Sequence, residues 1–294
     1  MKQLLIVTLV LSLALMPLFG QSESVKKRFQ LEPDKPASLY FKDIDGDVKV
    51  VKHDKREIIF EFVKELKGSA SAKNREYFDG IRPEISFKDN ILTIEIKYPK
   101  KHFKLFSFSS VKIKAKSSLM VPRQTDAKIR LVDGDVWTSG LVGHLDLKSV
   151  DGDLYVKACE GQLKLHTVDG EIEVNGGGGT LDTYTVDGDV TADGVFSEIL
   201  FKSVDGEGTF GLKPGSVLKG DCSLRSVDGG IRLSYPQELG FKVNAKTGDG
   251  GIDVHSKFDT ITLKKRNRFS GQRGDARFTV TITTVDGGIS LKEH

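Results

Sequence analysis

A short motif, Val-Asp-Gly followed by Asp or Glu, recurs along the chain at a fixed interval and constrains the fold more than any other feature. Four successive intervals between the motif aspartates are each 18 residues, and these aspartates are Asp133, Asp151, Asp169, Asp187 and Asp205. The motif continues less regularly at Asp228, Asp249 and Asp286, and an early copy lies upstream at Asp45. Self-similarity at a fixed period is the signature of a repeat architecture.

Each repeat contains two short strands and two bends. Apolar residues alternate with polar ones before the aspartate, as at Leu145 and Leu147, and again after it, as at Leu154 and Val156. This period of two predicts strands. The Asp-Gly pair predicts a turn in which Asp bonds its own backbone and Gly takes a positive φ. A second bend is predicted where glycine recurs, at Gly143, Gly161 and Gly179.

Two strands and two bends in 18 residues correspond to one coil of a β-solenoid, in which stacked coils bury a continuous thin core. The alternative is a β-sandwich built of hairpins. The repeat has a fixed length and the same types of side chain at equivalent positions. This constancy favours the solenoid, because stacked coils require it and a β-sandwich of hairpins does not. We therefore predict an all-β protein, with a β-solenoid of about 18-residue coils over residues 126–294.

The preceding section, residues 25–125, has a different pattern. Strands are predicted near Asp45, over 58–63 and over 111–121, with a hairpin turning at Asp89-Asn90. One short helix is predicted from Ser69, as N-cap, to a stop at Gly80. We expect this β-rich section to cap the first coil, because an uncovered coil is an exposed sheet edge.

Residues 1–20 predict a signal peptide. Lys2 precedes an apolar run from Leu4 to Phe19, which is shorter than the approximately 20 residues of a spanning helix and contains Pro17 near its end. The alternative is a membrane anchor. No later stretch is apolar enough to span a bilayer, so we expect an exported protein of the periplasm or the cell surface, without a transmembrane span in the mature chain.

Stacking would place equivalent acidic side chains about 4.8 Å apart, where neighbouring carboxylates repel by about 1 kcal/mol in water. One interpretation is a row of calcium sites between coils, formed by the turn residues Asp133, Asp151, Asp169, Asp187, Asp205 and Asp228. The other is structural: each aspartate caps its own turn, and a neighbouring basic column that includes Lys148 and Lys202 offsets the charge. The structural interpretation is favoured, because the calcium-binding nonapeptide pattern is absent from the sequence. No metal site or cofactor is predicted.

The formal charge of +3 conceals a strong segregation of charge. Residues 21–125 carry 23 basic and 15 acidic residues, whereas residues 126–260 carry 13 basic and 23 acidic residues. Two basic clusters could meet anionic lipid or polysaccharide. Their members are Lys100, Lys101 and Lys104 in the first cluster and Lys264, Lys265 and Arg266 in the second. A solvated face is the alternative for both, and export argues against nucleic acid.

The sequence contains no His-Glu-x-x-His, nucleophile elbow or P-loop motif. Its many carboxylates repeat identically from coil to coil, whereas an active site is a local, aperiodic cluster. These patterns predict a protein that is not an enzyme. Cys159 and Cys222 lie about three coils apart, roughly 14 Å, which is too far for a disulfide.

Val121-Pro122-Arg123, the strand from Ile129 to Val136 and the repeated Ser/Thr-Val-Asp-Gly turns together resemble the bacterial family named "putative adhesin", a domain of unknown function. The resemblance covers roughly residues 38–292 and implies an exported bacterial β-solenoid; it carries over no functional residues. Three hypotheses follow: an adhesin-like binding module of the envelope, a structural periplasmic scaffold without a specific ligand, and a polysaccharide-active enzyme. The first is preferred, with envelope polysaccharide, anionic lipid or another envelope protein as partner.

Overall fold

The computed structural model describes residues 21–33, 35–67, 71–99 and 112–294. The predicted signal peptide and the first basic cluster, Lys100, Lys101 and Lys104, lie outside these residues. The described chain forms one short helix and 22 strands, and it is all-β with a solenoid architecture, which confirms the predicted fold class.

The N-terminal elements precede the regular coils. They are β1 (Gln21–Gln30), β2 (Ala37–Lys42), β3 (Asp47–His53), β4 (Glu57–Lys67), α1 (Ala72–Gly80), β5 (Arg82–Lys88), β6 (Ile91–Lys97) and β7 (Lys112–Pro122). The helix is capped by Ser71, whose Oγ accepts a hydrogen bond from the Asn74 backbone N–H at 3.2 Å. The helix therefore begins two residues later than predicted, and Ser69 itself lies outside the described residues. The predicted hairpin is confirmed, since Asp89 and Asn90 have φ of 52° and 60° between antiparallel β5 and β6.

The regular coils begin at β8. Their strands are β8 (Thr125–Arg130), β9 (Val136–Ser139), β10 (Val142–Lys148), β11 (Leu154–His166), β12 (Ile172–Tyr184), β13 (Val190–Lys202), β14 (Gly208–Leu212), β15 (Cys222–Arg225) and β16 (Ile231–Tyr235). The chain ends with β17 (Phe241–Lys246), β18 (Ile252–His255), β19 (Thr260–Lys265), β20 (Arg268–Arg273), β21 (Thr279–Thr283) and β22 (Ile289–Glu293).

The coils stack in parallel with the predicted spacing. Leu145 pairs with Leu163, and Leu163 with Leu181, each 18 residues further along. β11, β12 and β13 each bend near their middle, and the two halves of a strand pair with different neighbours: β11 pairs with β9 and β10, and β13 pairs with β14 and β15. Gly161 and Gly179 have φ of 119° and 107° at this bend, which confirms the second bend of the repeat. The inward side chains of both halves form one hydrophobic core.

Both ends of the stack depart from chain order. The early motif at Asp45 lies directly on the first regular coil, because Asp45 and Asp133 form a parallel bridge and β3 pairs with β9. At the other end, the C-terminal strands β21 and β22 lie between the coil of β15 and β16 and the coil of β17 and β18. The last segment of the chain therefore occupies the next-to-last coil of the stack.

Candidate binding surfaces of the solenoid

The motif turns form a continuous ladder along one edge of the solenoid. The Asp151 backbone N–H donates to the carbonyl of Val132 in the preceding coil at 2.8 Å, and the Asp169 N–H donates to Val150 at 2.9 Å. The same bond recurs at every later turn. Its donors, in stack order, are Asp187, Asp205, Asp228, Asp286 and Asp249.

Buried hydroxyl groups, two residues before the turn aspartates, hold these turns together. The Thr167 Oγ1 donates to the carbonyl of Gly152 at 3.1 Å, and the Ser149 Oγ donates to Gly134 at 3.2 Å. These two hydroxyls thus each satisfy a turn carbonyl of the neighbouring coil. The equivalent Ser203 Oγ has no hydrogen-bond partner among the described residues, so the contact does not recur in every coil.

The turn glycines are required by close approach between coils rather than by the predicted positive φ. A Cβ on Gly170 would overlap the carbonyl oxygen of Gly152, and a Cβ on Gly188 would overlap that of Gly170. Neither glycine has a positive φ, which among the stacked motif turns occurs only at Gly134 and Gly229 within the described residues. The predicted turns are confirmed. The predicted reason for glycine, a positive φ, holds only for Gly134 and Gly229 among the described motif turns.

A second column of acidic residues, two residues after the turn aspartates, caps backbone N–H groups; its members are Asp135, Asp153, Glu171, Asp189 and Glu207. Asp153 Oδ1 accepts a hydrogen bond from the Glu171 N–H at 2.8 Å, and Asp135 Oδ1 accepts one from the Asp153 N–H at 3.0 Å. These carboxylates therefore link adjacent coils.

The turn aspartates themselves are exposed. None of Asp133, Asp151, Asp169, Asp187, Asp205 and Asp228 forms a side-chain hydrogen bond with another residue of the described chain, so the expectation that each caps its own turn is wrong. Within the described ranges, no three His, Cys, Asp or Glu side chains converge as metal ligands would. Calcium binding by these six residues, the interpretation that the sequence disfavours, is a hypothesis that removal of calcium by a chelator would test.

The second basic cluster lies at the tip of the β19–β20 hairpin. Lys264, Lys265 and Arg266 are all exposed there, and none forms an ion pair with a described residue. Binding of an anionic surface by this tip stays a prediction.

The basic column predicted beside the turns is formed by side chains at paired positions of adjacent strands. Lys148 pairs with His166, and Lys202 pairs with Arg225.

A cavity of about 440 Å³ opens on the outer face of the first coils. It is lined by Lys49, Val51, Trp137, Thr138, Ser139, Tyr155, Val156, Lys157, Glu173 and Asn175. Trp137, the single tryptophan of the chain, stacks on Tyr155 with ring centroids 5.5 Å apart and ring planes at 6°. The Tyr155 hydroxyl donates to Asp153 Oδ2 at 2.8 Å, a bond that raises the pKa of Tyr155 to about 12 and fixes the ring.

This aromatic pair interrupts a polar column. The outward residues in register with Trp137 and Tyr155 in the other coils are Lys49, Glu173, Thr191, Thr209, Arg232, Ser290 and Asp253. Sequence reasoning missed the pair because it aligned the inward positions, three and five residues after the aspartate. An alignment of the residues four positions after each turn aspartate would have revealed aromatic residues on the solvent side of two adjacent coils.

Residues 57–292, which are most of the chain, match the sequence profile of the Toastrack DUF4097 domain, a domain of unknown function. The chain belongs to the Toastrack DUF4097 family. No curated protein matches it.

Solved structures resemble this Toastrack chain at low identity. A "putative adhesin" from Parabacteroides merdae is 14% identical with a TM-score of 0.46, and the match covers 92% of this chain and 96% of that one. A "putative adhesin" from Bacteroides fragilis is 11% identical with a TM-score of 0.45, covering 92% and 97%. A "putative lipid binding protein" from Parabacteroides distasonis is 13% identical with a TM-score of 0.34, covering 92% and 97%. No helix among the described residues of the Toastrack chain is long and apolar enough to cross a bilayer.

The coil of the early Asp45 motif contains a buried carboxyl, Asp43, at the position where the coils from Ser149 onward carry a hydroxyl. Asp43 is 2% exposed, and burial raises the pKa of its side chain to about 6. Its Oδ1 accepts hydrogen bonds from the Tyr98 hydroxyl and the Ile44 backbone N–H, both at 2.7 Å, whereas Oδ2 has no partner among the described residues. The ionised form is therefore poorly compensated.

We expect Asp43→Asn to stabilise the protein at neutral pH and to have little effect in acid. Because its folded pKa lies above the unfolded value of 3.8, Asp43 favours the folded state below about pH 4, and that contribution is lost as the pH rises to about 6. Above that range, the charged group costs about 3 kcal/mol, at roughly 1.4 kcal/mol per pKa unit. Chemical denaturation near pH 4 and near pH 8 measures the difference, and an equal effect of the substitution at both pH values would contradict it.

Proposed function

We propose that this Toastrack protein is an exported, non-catalytic module of the bacterial cell envelope that binds an envelope component through the outer face of its solenoid. Export is supported by the charged and apolar pattern of residues 1–20. A rigid stack of parallel coils provides an extended surface on which side chains hold fixed positions, as other solenoids do for their ligands.

One observation carries the proposal of binding: the Trp137–Tyr155 pair is a local departure from an otherwise polar column of outward residues. Residues that build a solenoid recur from coil to coil, whereas residues that serve a ligand need to occur only once. Large aromatic side chains at half-exposed positions are typical of binding surfaces. A cavity of about 440 Å³ lies within the usual range for ligand sites.

The acidic residues support a scaffold rather than a catalytic centre. Asp135 and Asp153 accept backbone hydrogen bonds that join coils, and the equivalent Asp189 does the same for the Glu207 N–H at 2.8 Å. Their periodic placement follows from this structural role.

Cosedimentation of the purified protein with cell-envelope fragments tests the proposal. We expect the wild-type protein to sediment with the fragments and Trp137→Ala to bind about tenfold more weakly, since an anchor residue contributes more than about 1 kcal/mol. Tyr184→Ala is the matched control, because Tyr184 is an exposed aromatic residue that does not line the cavity. Circular dichroism verifies that each variant is folded.

Three other outcomes identify the alternatives. Binding lost in the combined Lys264→Gln, Lys265→Gln and Arg266→Gln variant but kept in Trp137→Ala would assign the contact to the hairpin tip. Absence of binding, together with a fragile envelope in a deletion strain, would favour the structural scaffold. Release of sugars from envelope polysaccharide by the purified protein would establish the enzyme hypothesis instead.

A further inference from the structure

The Trp137–Tyr155 cavity, here called the groove, is lined by two partly exposed aromatic rings. The two rings are parallel and belong to adjacent coils. Tyr155 pairs in register with Glu173 of the next coil, and Glu173 and Asn175 line the same groove. The aromatic pair and these two polar side chains therefore border the same space.

Tyr155 is held in place before any ligand binds. Its hydroxyl donates to Asp153 Oδ2, and Asp153 is itself fixed, because its Oδ1 accepts the Glu171 backbone N–H at 2.8 Å. A ring whose orientation is already set loses little conformational entropy when a ligand packs against it. This anchoring distinguishes a prepared site from an accidental surface aromatic.

Both hydrogen-bond donors and hydrogen-bond acceptors line the groove. Lys49 and Lys157 supply donors, Glu173 supplies acceptors, and Ser139 and Asn175 supply both. A ligand rich in hydroxyl groups, each of which can donate and accept, matches this mixture. The pyranose ring of a sugar adds an apolar C–H face that packs against an aromatic ring.

The surroundings disfavour ligands of other kinds. The acidic column of Asp135, Asp153 and Glu171 lies directly before β9, β11 and β12, two residues from the groove residues. Together with Glu173 these carboxylates outnumber Lys49 and Lys157, so a polyanion would meet net negative charge. Aliphatic contact is restricted to Val51 and Val156, which is too little for an acyl chain. Four coils border the groove, giving it a length of roughly 14 Å at about 4.8 Å per coil, which suits a chain rather than a single small molecule.

We infer that this groove binds an uncharged sugar chain, with one sugar ring packed against the exposed part of the Trp137–Tyr155 pair and its hydroxyls bonded to Glu173, Asn175 and Lys157. The inference rests on the proposed binding function and names the class of ligand. A sugar chain crossing successive coils would contact side chains that repeat at the coil spacing.

The single tryptophan allows a direct test, because its fluorescence reports on this groove alone. The wild-type protein is titrated with neutral hexasaccharides, namely the β-1,4-linked hexamers of glucose and of N-acetylglucosamine and the α-1,4-linked hexamer of glucose, and with anionic hexagalacturonate. We expect at least one neutral hexamer to change the emission saturably, with a dissociation constant below about 1 mM. The affinity should be unchanged at roughly 0.5 M salt, since no charge pairing is involved.

Variants distinguish a specific contact with the sugar from nonspecific adsorption. Tyr155→Ser should weaken binding by about tenfold or more, whereas the matched Tyr184→Ser control should bind as the wild type does. Glu173→Gln should bind within about threefold of wild type, because an amide also hydrogen bonds to hydroxyls; a large loss would indicate a cationic ligand instead. Binding of hexagalacturonate alone, retention of sugar binding in Tyr155→Ser, or no response to any neutral hexamer would each overturn the inference.

The inference and the proposed function can fail separately. If envelope cosedimentation depends on Trp137 while no neutral hexamer binds, the proposed binding function is supported and the assignment of a sugar ligand is refuted. If the wild-type protein does not sediment with envelope fragments at all, the proposed function falls, whatever the hexamers show.

Discussion

Removal of residues 276–294 is expected to unfold the C-terminal end of the solenoid while leaving the earlier coils intact. This segment supplies β21 and β22, which lie between two earlier coils and pair with strands on both sides. Its Val280, Ile282, Ile289 and Leu291 are each at most 1% exposed. Loss of even one such side chain typically costs about 2–5 kcal/mol, and here a whole layer of the core is lost.

The truncation also removes a partly buried ion pair. Arg273 is 6% exposed and pairs at 2.7 Å with Glu293, whose side chain is 23% exposed. Among the described residues, the guanidinium then keeps only the Gln237 carbonyl and the Tyr235 ring as partners. Breaking a fully buried pair costs about 3–5 kcal/mol, and we expect a smaller cost for this one. We therefore expect the segment from Phe241 to Arg273 to detach from the stack.

Hydrogen exchange measured by mass spectrometry checks this result. Amides of β17 to β20 should lose protection in the truncated chain, whereas those of β11 to β13 should keep it. Lys292→Ala, an exposed position in the same coil, is the control and should leave the exchange pattern unchanged. Full protection of β17 to β20 in the truncated chain would show that the inserted coil is dispensable.

Gly170→Ala is expected to destabilise the solenoid strongly although it adds only one methyl group. The added Cβ would overlap the Gly152 carbonyl oxygen and would lie 2.8 Å from Thr167 Oγ1. Relief of this overlap requires two coils to separate, which breaks the ladder of turn bonds. Overpacking of this kind costs about 3 kcal/mol or more when backbone must move.

Gly251→Ala is the matched control. A Cβ on Gly251 meets no atom within 4 Å, and its φ is not in the left-handed region. This substitution should be neutral or stabilise by up to about 1 kcal/mol, because alanine restricts the unfolded chain. Chemical denaturation of both variants measures the difference, and equal stabilities would refute the close-approach explanation for the turn glycines.

Much of the fold could be predicted because the coil pattern is local. The alternation around Leu145 and Leu154, the turn at Asp151 and the bend at Gly161 all fall within one 18-residue window. The interval itself fixes the register, since Leu145 pairs with Leu163. The expectation that Cys159 and Cys222 do not pair is also confirmed, as both are free and buried.

The binding surfaces were less predictable, because they depend on which residues become neighbours across coils. The aspartates at the turns were the obvious candidates from the motif, yet Asp135 and Asp153 perform the capping between coils. Trp137 and Tyr155 are separated by 18 residues and adjoin only after stacking. Their significance emerges when the outward face is compared coil by coil.

By itself, the sequence determined the coil: its period, its two strands, its turns and its thin apolar core follow from side-chain alternation and glycine placement within each repeat. Only the tertiary structure decided the order of the coils and the composition of their outer face. Parallel strand pairing bonds one coil backbone to another regardless of their separation in the chain, so Asp45 can stack on Asp133 and the C-terminal coil can enter between two earlier ones. The same long-range pairing places Trp137 on Tyr155 and so creates the groove.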